Sequence, residues 1–195
     1  MVYGVMYSER EELEADIFAR VFLDEYLNPT PPVSVFFSYA AADEVFATRL
    51  YDDLEGKGIR CWKFDRDART GQKNWGEIDK AIRGYDKVLL IASEHSLQRP
   101  GVIREIERAI RLEDERIKAK NAGEFNGDVN VLFPVRVDNY VLDEWSHERK
   151  VDIIAKVIAN AQGWAENANT YRKVLNRLVR DLTQDDPTYS ADRRE

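Results

Sequence analysis

Glu105 is the residue whose type and position most readily support chemistry. It follows a Pro100-Gly101 break and sits inside an otherwise basic and apolar helical pattern. A carboxylate in the first turn or so of a helix is favoured by the helix dipole, which keeps it ionised. In a cleft, such a group can stabilise an oxocarbenium ion at a sugar carbon or hold ribose hydroxyls, and glycoside cleavage uses carboxylates for similar reasons. Spacing alone also allows Glu105 to be one surface acid among Glu94, Glu107, Glu113 and Glu115. Glu107 lies roughly 200° further around a helix, so the two acids cannot face one pocket.

Three other segments carry polar residues at turns. Ser38-Tyr39 closes the apolar run Val33–Phe37, with Asp43 a few residues on. Backbone amides and a hydroxyl at such a turn suit a phosphate or a ribose, while Asp43 or Ala42 serves equally as the cap of a following helix. Ser93-Glu94-His95-Ser96 follows a second apolar run. There His95 reads as a solvated or hydrogen-bonded loop histidine, and Lys87, ahead of the run, as solvated. Trp62-Lys63-Phe64-Asp65-Arg66-Asp67, then Gly71, joins an aromatic strand end to a loop of mixed charge, with Trp62 itself assigned to the core.

These residues need a scaffold. Val33–Phe37, Ile59–Trp62, Lys87–Ala92 and Val129–Val137 are strand-like runs, and Val157–Ala159 is a weak fifth. Asp43–Lys57 has helical spacing, with Val45, Phe46, Leu50 and Leu54 on one side and Gly56 and Gly58 at its end. Trp75–Gly84 is helical through Ile78, Ala81 and Ile82, and Val102–Ile117 through Ile103, Ile106, Ile110 and Ile117. A short helix is expected in Asp143–Ile154, and a last one over Asn169–Leu182 with Tyr171, Val174, Leu175, Leu178 and Leu182 inward. Strands alternating with helices predict an α/β fold with a parallel sheet covered on both faces. Five strands with right-handed crossovers predict a flavodoxin-like order. Ligands of such sheets sit outside the carboxyl ends of the strands at the switch point. That rule selects Ser38–Asp43, Lys63–Lys73 and Ser93–Glu105 as the walls of a pocket.

Outside this core, residues 1–32 read as an added helix and linker. Ser8 to Tyr26 is amphipathic, with Ser8 as cap and Glu11 at the capping-box position. Asn28-Pro29-Thr30-Pro31-Pro32 then forms a stiff break. This helix is either a packing arm or a surface for self-association or a partner protein. Residues 33–183 form the domain, and 184–195 a polar tail that frays.

A chain of 195 residues can bury a substantial core. The formal charge of -7 speaks against a nucleic-acid binder, which needs a basic face. The single cysteine, Cys61, lies in an apolar strand pattern, so no internal disulfide forms and a buried, inert thiol in a reducing cytoplasm is expected. The start of the chain turns acidic at Glu9, Glu11 and Glu12, unlike a signal peptide. No apolar run approaches the ~20 residues of a membrane helix. Only two histidines occur, His95 and His147, and no Cys/His cluster, so no zinc site is expected.

In order and spacing the stretch from Val33 to Leu182 resembles a TIR domain, a family in which many members cleave NAD+ with one glutamate and others only assemble signalling complexes. Ser38-Tyr39 with Asp43 resembles the family's first motif. Trp62 through Asp67 with Gly71 resembles the second, on the so-called BB loop. Ser93 and Ser96 match a Ser-x-x-Ser segment after the third strand, and Glu105 matches the family glutamate. Gly101, not the Trp found in many members, stands four residues before it. The resemblance implies Glu105 as the catalytic residue, with Ser38, Tyr39, Asp43, Phe64, Arg66, Asp67, Arg69, Trp75 and Ser93 as substrate-binding residues. Arg66 or Arg69 would hold the pyrophosphate in bidentate fashion, and Phe64 and Trp75 would flank the nicotinamide or adenine. The implied activity is NAD+ glycohydrolysis, giving nicotinamide plus ADP-ribose or a cyclic isomer, in bacterial antiphage signalling switched on by self-assembly through TIR–TIR contacts that include the 63–73 loop. NAD+ is then the substrate, and no cofactor or metal is required. The alternative is a non-enzymatic interaction module. A receiver domain fits poorly, because strand three ends in Ala92-Ser93 rather than in an Asp. A nucleoside deoxyribosyltransferase relative would also use a glutamate in ribosyl chemistry.

Overall fold

A computed structural model describes residues 33–63 and 84–183. Within them lies a five-stranded, all-parallel sheet in the order β2-β1-β3-β4-β5. Its strands are β1 (Ser34–Ser38), β2 (Arg60–Trp62), β3 (Lys87–Ala92), β4 (Leu132–Arg136) and β5 (Ala159–Asn160). This is the flavodoxin-like order, with its switch point between β1 and β3.

β1 and β3 are buried at every position because they are central and covered on both faces, which is why they read as continuous apolar runs. Their alternate side chains feed two cores. Val35, Phe37, Leu89 and Ile91 face α1 (Glu44–Glu55) and α6 (Ala168–Thr183), through Phe46, Leu50, Leu54, Tyr171, Val174 and Leu178. Phe36, Val88, Leu90 and Ala92 face α3 (Pro100–Asn121) and the short helices α4 (Tyr140–Asp143) and α5 (Lys150–Ile154), through Val102, Ile106, Val141 and Ile153. Trp62 belongs to this second layer, stacked on Phe36 with ring centroids 5.0 Å apart. Cys61 is buried.

Several expectations are corrected. Val45 is not inward but 73 % exposed. It lies one residue from Phe46, and a rotation of about 100° per residue carries it off the buried stripe of Phe46, Leu50 and Leu54. Ile117 is 44 % exposed, since the last turns of α3 outrun the sheet. The short helix expected in Asp143–Ile154 is α5, and α4 is an additional turn ahead of it; between them Trp145 turns inward and its indole N–H donates to the Leu97 carbonyl at 3.2 Å. The last strand is the two-residue β5, which starts two residues later than the expected Val157–Ala159 and ends one later. Lys87 is buried rather than solvated: its ammonium pairs with Asp128 and donates to the Asn130 carbonyl at 2.9 Å, while its stem covers apolar surface. The helix expected over Ser8–Tyr26, the linker after it, the helix over Trp75–Gly84 and the 184–195 tail lie outside the described residues, apart from Gly84. Among the described residues, no helix is long and apolar enough to cross a membrane.

Candidate functional site

The carboxyl ends of β1 and β3 bring Ser38 and Glu105 together. Ser38 is the last residue of β1, and its hydroxyl is fully buried. Glu105 is the sixth residue of α3, one turn further in than expected. The Ser38 hydroxyl donates to Glu105 Oε2 at 2.6 Å. The position overturns the electrostatic expectation as well. A dipole acts mainly within the first turn, whereas Glu105 is 8 % exposed. Burial pushes its carboxyl up from the usual 4.5 to about 7, against the opposing pull of the Ser38 hydrogen bond and the Arg108 charge. The group is therefore poised near neutrality instead of being held firmly ionised.

A second bridge lies beside the first. Asp43 ends the 3-10 turn Ala41–Asp43 after β1. Its Oδ2 accepts from the Ser93 hydroxyl at 2.5 Å and the Ser96 hydroxyl at 2.7 Å. Ser96 Oγ in turn accepts from the Ala40 N–H at 2.8 Å, and Ser93 Oγ from the Ser96 N–H at 2.9 Å. Ser93 thus caps α2 (Glu94–Leu97), a helical turn where the sequence predicts a loop. This closed clasp ties the turn after β1 to the segment that leads from β3 into α3, and so fixes where α3 begins. Ser96, matched to the family motif but not assigned a role, is its centre. Two hydroxyl-bearing residues spaced as a cap and first turn were the signal for it.

The other assigned residues separate into two groups. Tyr39 turns away from Glu105, and its hydroxyl donates to Glu44 Oε2 at 2.7 Å. Glu44 also receives Thr48 at 2.7 Å and the ammonium of buried Lys63. Burial alone would raise the Glu44 carboxyl, but hydrogen bonds from Lys63, Tyr39 and Thr48, with the Lys63 charge, bring it down to about 2. Lys63 follows β2, so this network ties the end of the β2 edge to α1. Phe64, Arg66, Asp67, Arg69 and Trp75 lie outside the described residues. His95 is exposed on α2.

Three buried carboxylates invite comparison. Glu113, two turns beyond Glu105 on α3, accepts from the Val131 and Leu132 N–H groups at 2.7 and 2.8 Å and from the Lys156 ammonium at 2.8 Å. Asp43 receives two hydroxyls. Among the described residues, Glu105 receives one hydrogen bond. Glu113 and Asp43 thus gather several donors on one oxygen, Oε1 and Oδ2, whereas Glu105 has a single donor on Oε2. Glu107 sits on the opposite flank of α3, lining an open cleft of about 620 Å³ with Ile103, Arg104, Tyr140, Trp145 and His147. The cleft does not reach Glu105. Among the described residues, no group of three His, Cys, Asp or Glu side chains could hold a metal ion.

The sequence model of the TIR domain matches residues 35–168, more than half of the chain. The chain belongs to the TIR domain family. Among solved structures, this TIR domain is similar to the TIR domain of the Toll-related receptor TRR-2 from Hydra magnipapillata, with a TM-score of 0.53 and 15 % identity over 76 % of this chain and 96 % of that one. That likeness is one of fold. The TIR domains of the activated Roq1 resistosome, which recognises the pathogen effector XopQ, match at a TM-score of 0.44 and 16 % identity, over 83 % of this chain and 93 % of that one. No curated protein matches the chain closely enough to count as a relative. The family contains both NAD-cleaving enzymes and signalling scaffolds, so membership alone leaves the choice to the site. Gly101 lies on the first turn of α3, one helical turn before Glu105 and on its side of the helix, where many TIR domains carry Trp.

Proposed function

We propose that this TIR domain is an NAD+ glycohydrolase that acts through Glu105. The observation that carries the reading is a buried carboxyl with one hydrogen-bond donor, at the switch point of the sheet, poised near pH 7. A structural acid at such a depth is normally held by several donors, as Glu113 is by three. A functional acid keeps a perturbed proton affinity and a free lone pair.

The chemistry follows from the charge of the substrate. NAD+ brings a cationic nicotinamide ring to the carboxyl, which favours the carboxylate. The bond from ribose C1′ to the ring nitrogen breaks, the electron pair stays with nitrogen, and neutral nicotinamide departs. Positive charge then develops at C1′ and O4′ of the ribose, and the low-dielectric setting of Glu105 strengthens its stabilisation. Water attacks C1′ and yields its proton to Glu105, giving ADP-ribose. Attack by a nucleophile of the same substrate instead gives a cyclic isomer. Arg66 or Arg69 would hold the pyrophosphate and Phe64 or Trp75 the rings, while NAD+ serves as substrate rather than cofactor. Self-association through the 63–73 loop, a partner at the N-terminal helix, and a cytoplasmic role in bacterial antiphage signalling complete the proposal.

The test is chromatography of NAD+ incubated with concentrated protein and a crowding agent, wild type beside Glu105→Gln. Nicotinamide from wild type alone supports the reading, and the co-product separates hydrolysis from cyclisation. No nicotinamide from either folded, assembled protein overturns it. The second reading, a non-enzymatic interaction module, is favoured by Gly101, which removes the aromatic wall next to Glu105.

A further inference from the structure

We infer that Ser38 is a positioning residue for Glu105: its buried hydroxyl, spent on Oε2, fixes the carboxyl at the switch point and sets the pH range in which Glu105 is ionised. This rests on the reading of Glu105 as the reacting group, and it replaces a direct contact between Ser38 and substrate ribose or phosphate.

The geometry has three parts. The donor is rigid: Ser38 closes β1, pairs with Leu90 across the sheet, and is fully buried. The acceptor comes from a helix 67 residues away in sequence, whose start is tied to the same turn by the Asp43–Ser93–Ser96 clasp. Both ends of the 2.6 Å bond are thereby held by independent elements. A hydroxyl that donates to one carboxylate oxygen leaves the other to face a substrate, so the bond also orients the reactive lone pair.

Among the described residues, the charged and titratable groups on the elements around Glu105 are few. Arg108 is on its own helix, and its charge favours the carboxylate. Asp43, after β1, is occupied by Ser93 and Ser96. Glu44, at the start of α1, is occupied by Lys63, Tyr39 and Thr48. His95, on α2, is exposed. Ser38 is the group that hydrogen-bonds Glu105, so its removal acts directly on the ionised form. Burial and Arg108 remain unchanged.

The experiment compares wild type, Ser38→Ala and Ser38→Thr. In each, the Glu105 carboxyl is titrated by carbon NMR, its signal assigned by loss in Glu105→Gln, and kcat and KM for NAD+ are measured from pH 6 to pH 9. Removing a hydrogen bond to a charged group is expected to raise the midpoint by about one pH unit. The kcat of Ser38→Ala should then fall about ten-fold at pH 6 and recover by pH 9, with KM nearly constant. Ser38→Thr, which keeps the hydroxyl, should restore the wild-type midpoint. An unmoved midpoint, or a raised KM with an unshifted pH profile, overturns the inference. The NMR titration needs no turnover. A shifted midpoint in a protein that does not cleave NAD+ would therefore sink the enzymatic reading and leave the role of Ser38 standing.

Discussion

Replacing Glu105 with Gln should make the protein more stable above neutral pH, because the buried wild-type carboxyl is ionised there at an energetic cost. Burial raises its pKa from 4.5 to about 7. An acid with a raised folded-state pKa binds its proton more tightly in the native than in the unfolded chain. Its contribution to stability is therefore full below pH 4.5, declines as pH rises, and is lost once pH passes about 7. At 1.36 kcal/mol per pH unit the whole interval corresponds to about 3 kcal/mol. Gln keeps the length of the side chain and can accept from Ser38, but it carries no charge to desolvate. Urea unfolding at pH 5 and pH 8 reads the effect. At pH 5 the two proteins should agree within about 1 kcal/mol, and at pH 8 Glu105→Gln should be more stable by about 3 kcal/mol. A gap of the same size at both pH values would refute the reasoning, because the difference would then come from packing and not from ionisation. Glu105→Ala is the poorer probe, since it leaves the buried Ser38 hydroxyl without its acceptor. A variant that gains stability as it loses turnover would carry the trade-off expected of a reacting group.

Other consequences follow from the partners named above. Glu113→Ala orphans the Val131 and Leu132 N–H groups and the Lys156 ammonium, and should cost about 3–5 kcal/mol in urea unfolding; a loss below about 1 kcal/mol would show that water replaces the carboxylate. Lys63→Met should destabilise the protein by about 1 kcal/mol at pH 7, a figure reduced for the 38 % exposure of the Glu44 side chain. Glu44's folded pKa is lowered, so its contribution is present above 4.5 and lost as pH falls through about 2. The effect of Lys63→Met should accordingly fade in acid melts, and a pH-independent effect would point to packing. Gly58 closes α1 with φ of 81°, so Gly58→Ala should cost about 1 kcal/mol by calorimetry; no loss would mean that the turn relaxes.

Much of the fold was legible because burial leaves a compositional trace. Val88-Leu89-Leu90-Ile91 could hardly be anything but a covered central strand, and Tyr171, Val174, Leu175, Leu178 and Leu182 mark α6 by spacing alone. Val45 was misplaced because an apolar residue next to an inward one looks inward until the helix is packed. α2 was missed because four residues make no periodicity. α4 was missed for the same reason, its four residues Tyr140–Asp143 being too few to show a period.

At the site, the sequence alone showed that Glu105 and Glu107 cannot face one pocket, placed both after the third strand, and set Ser38 and Asp43 after the first, while the choice of Glu105 came from the family resemblance. It also determined the alternation of strands and helices that makes the sheet parallel, since local periodicity and composition carry that information. Only the tertiary structure decided what each acid became. Glu105 and Glu113 share one helix and one residue type, yet one meets a single hydroxyl from β1 and the other meets two backbone N–H groups and a lysine from the β4 side. The proton affinity of a carboxyl depends on how much water it loses and which donors replace that water. Both quantities are set by chain segments far away in sequence, which no local pattern records.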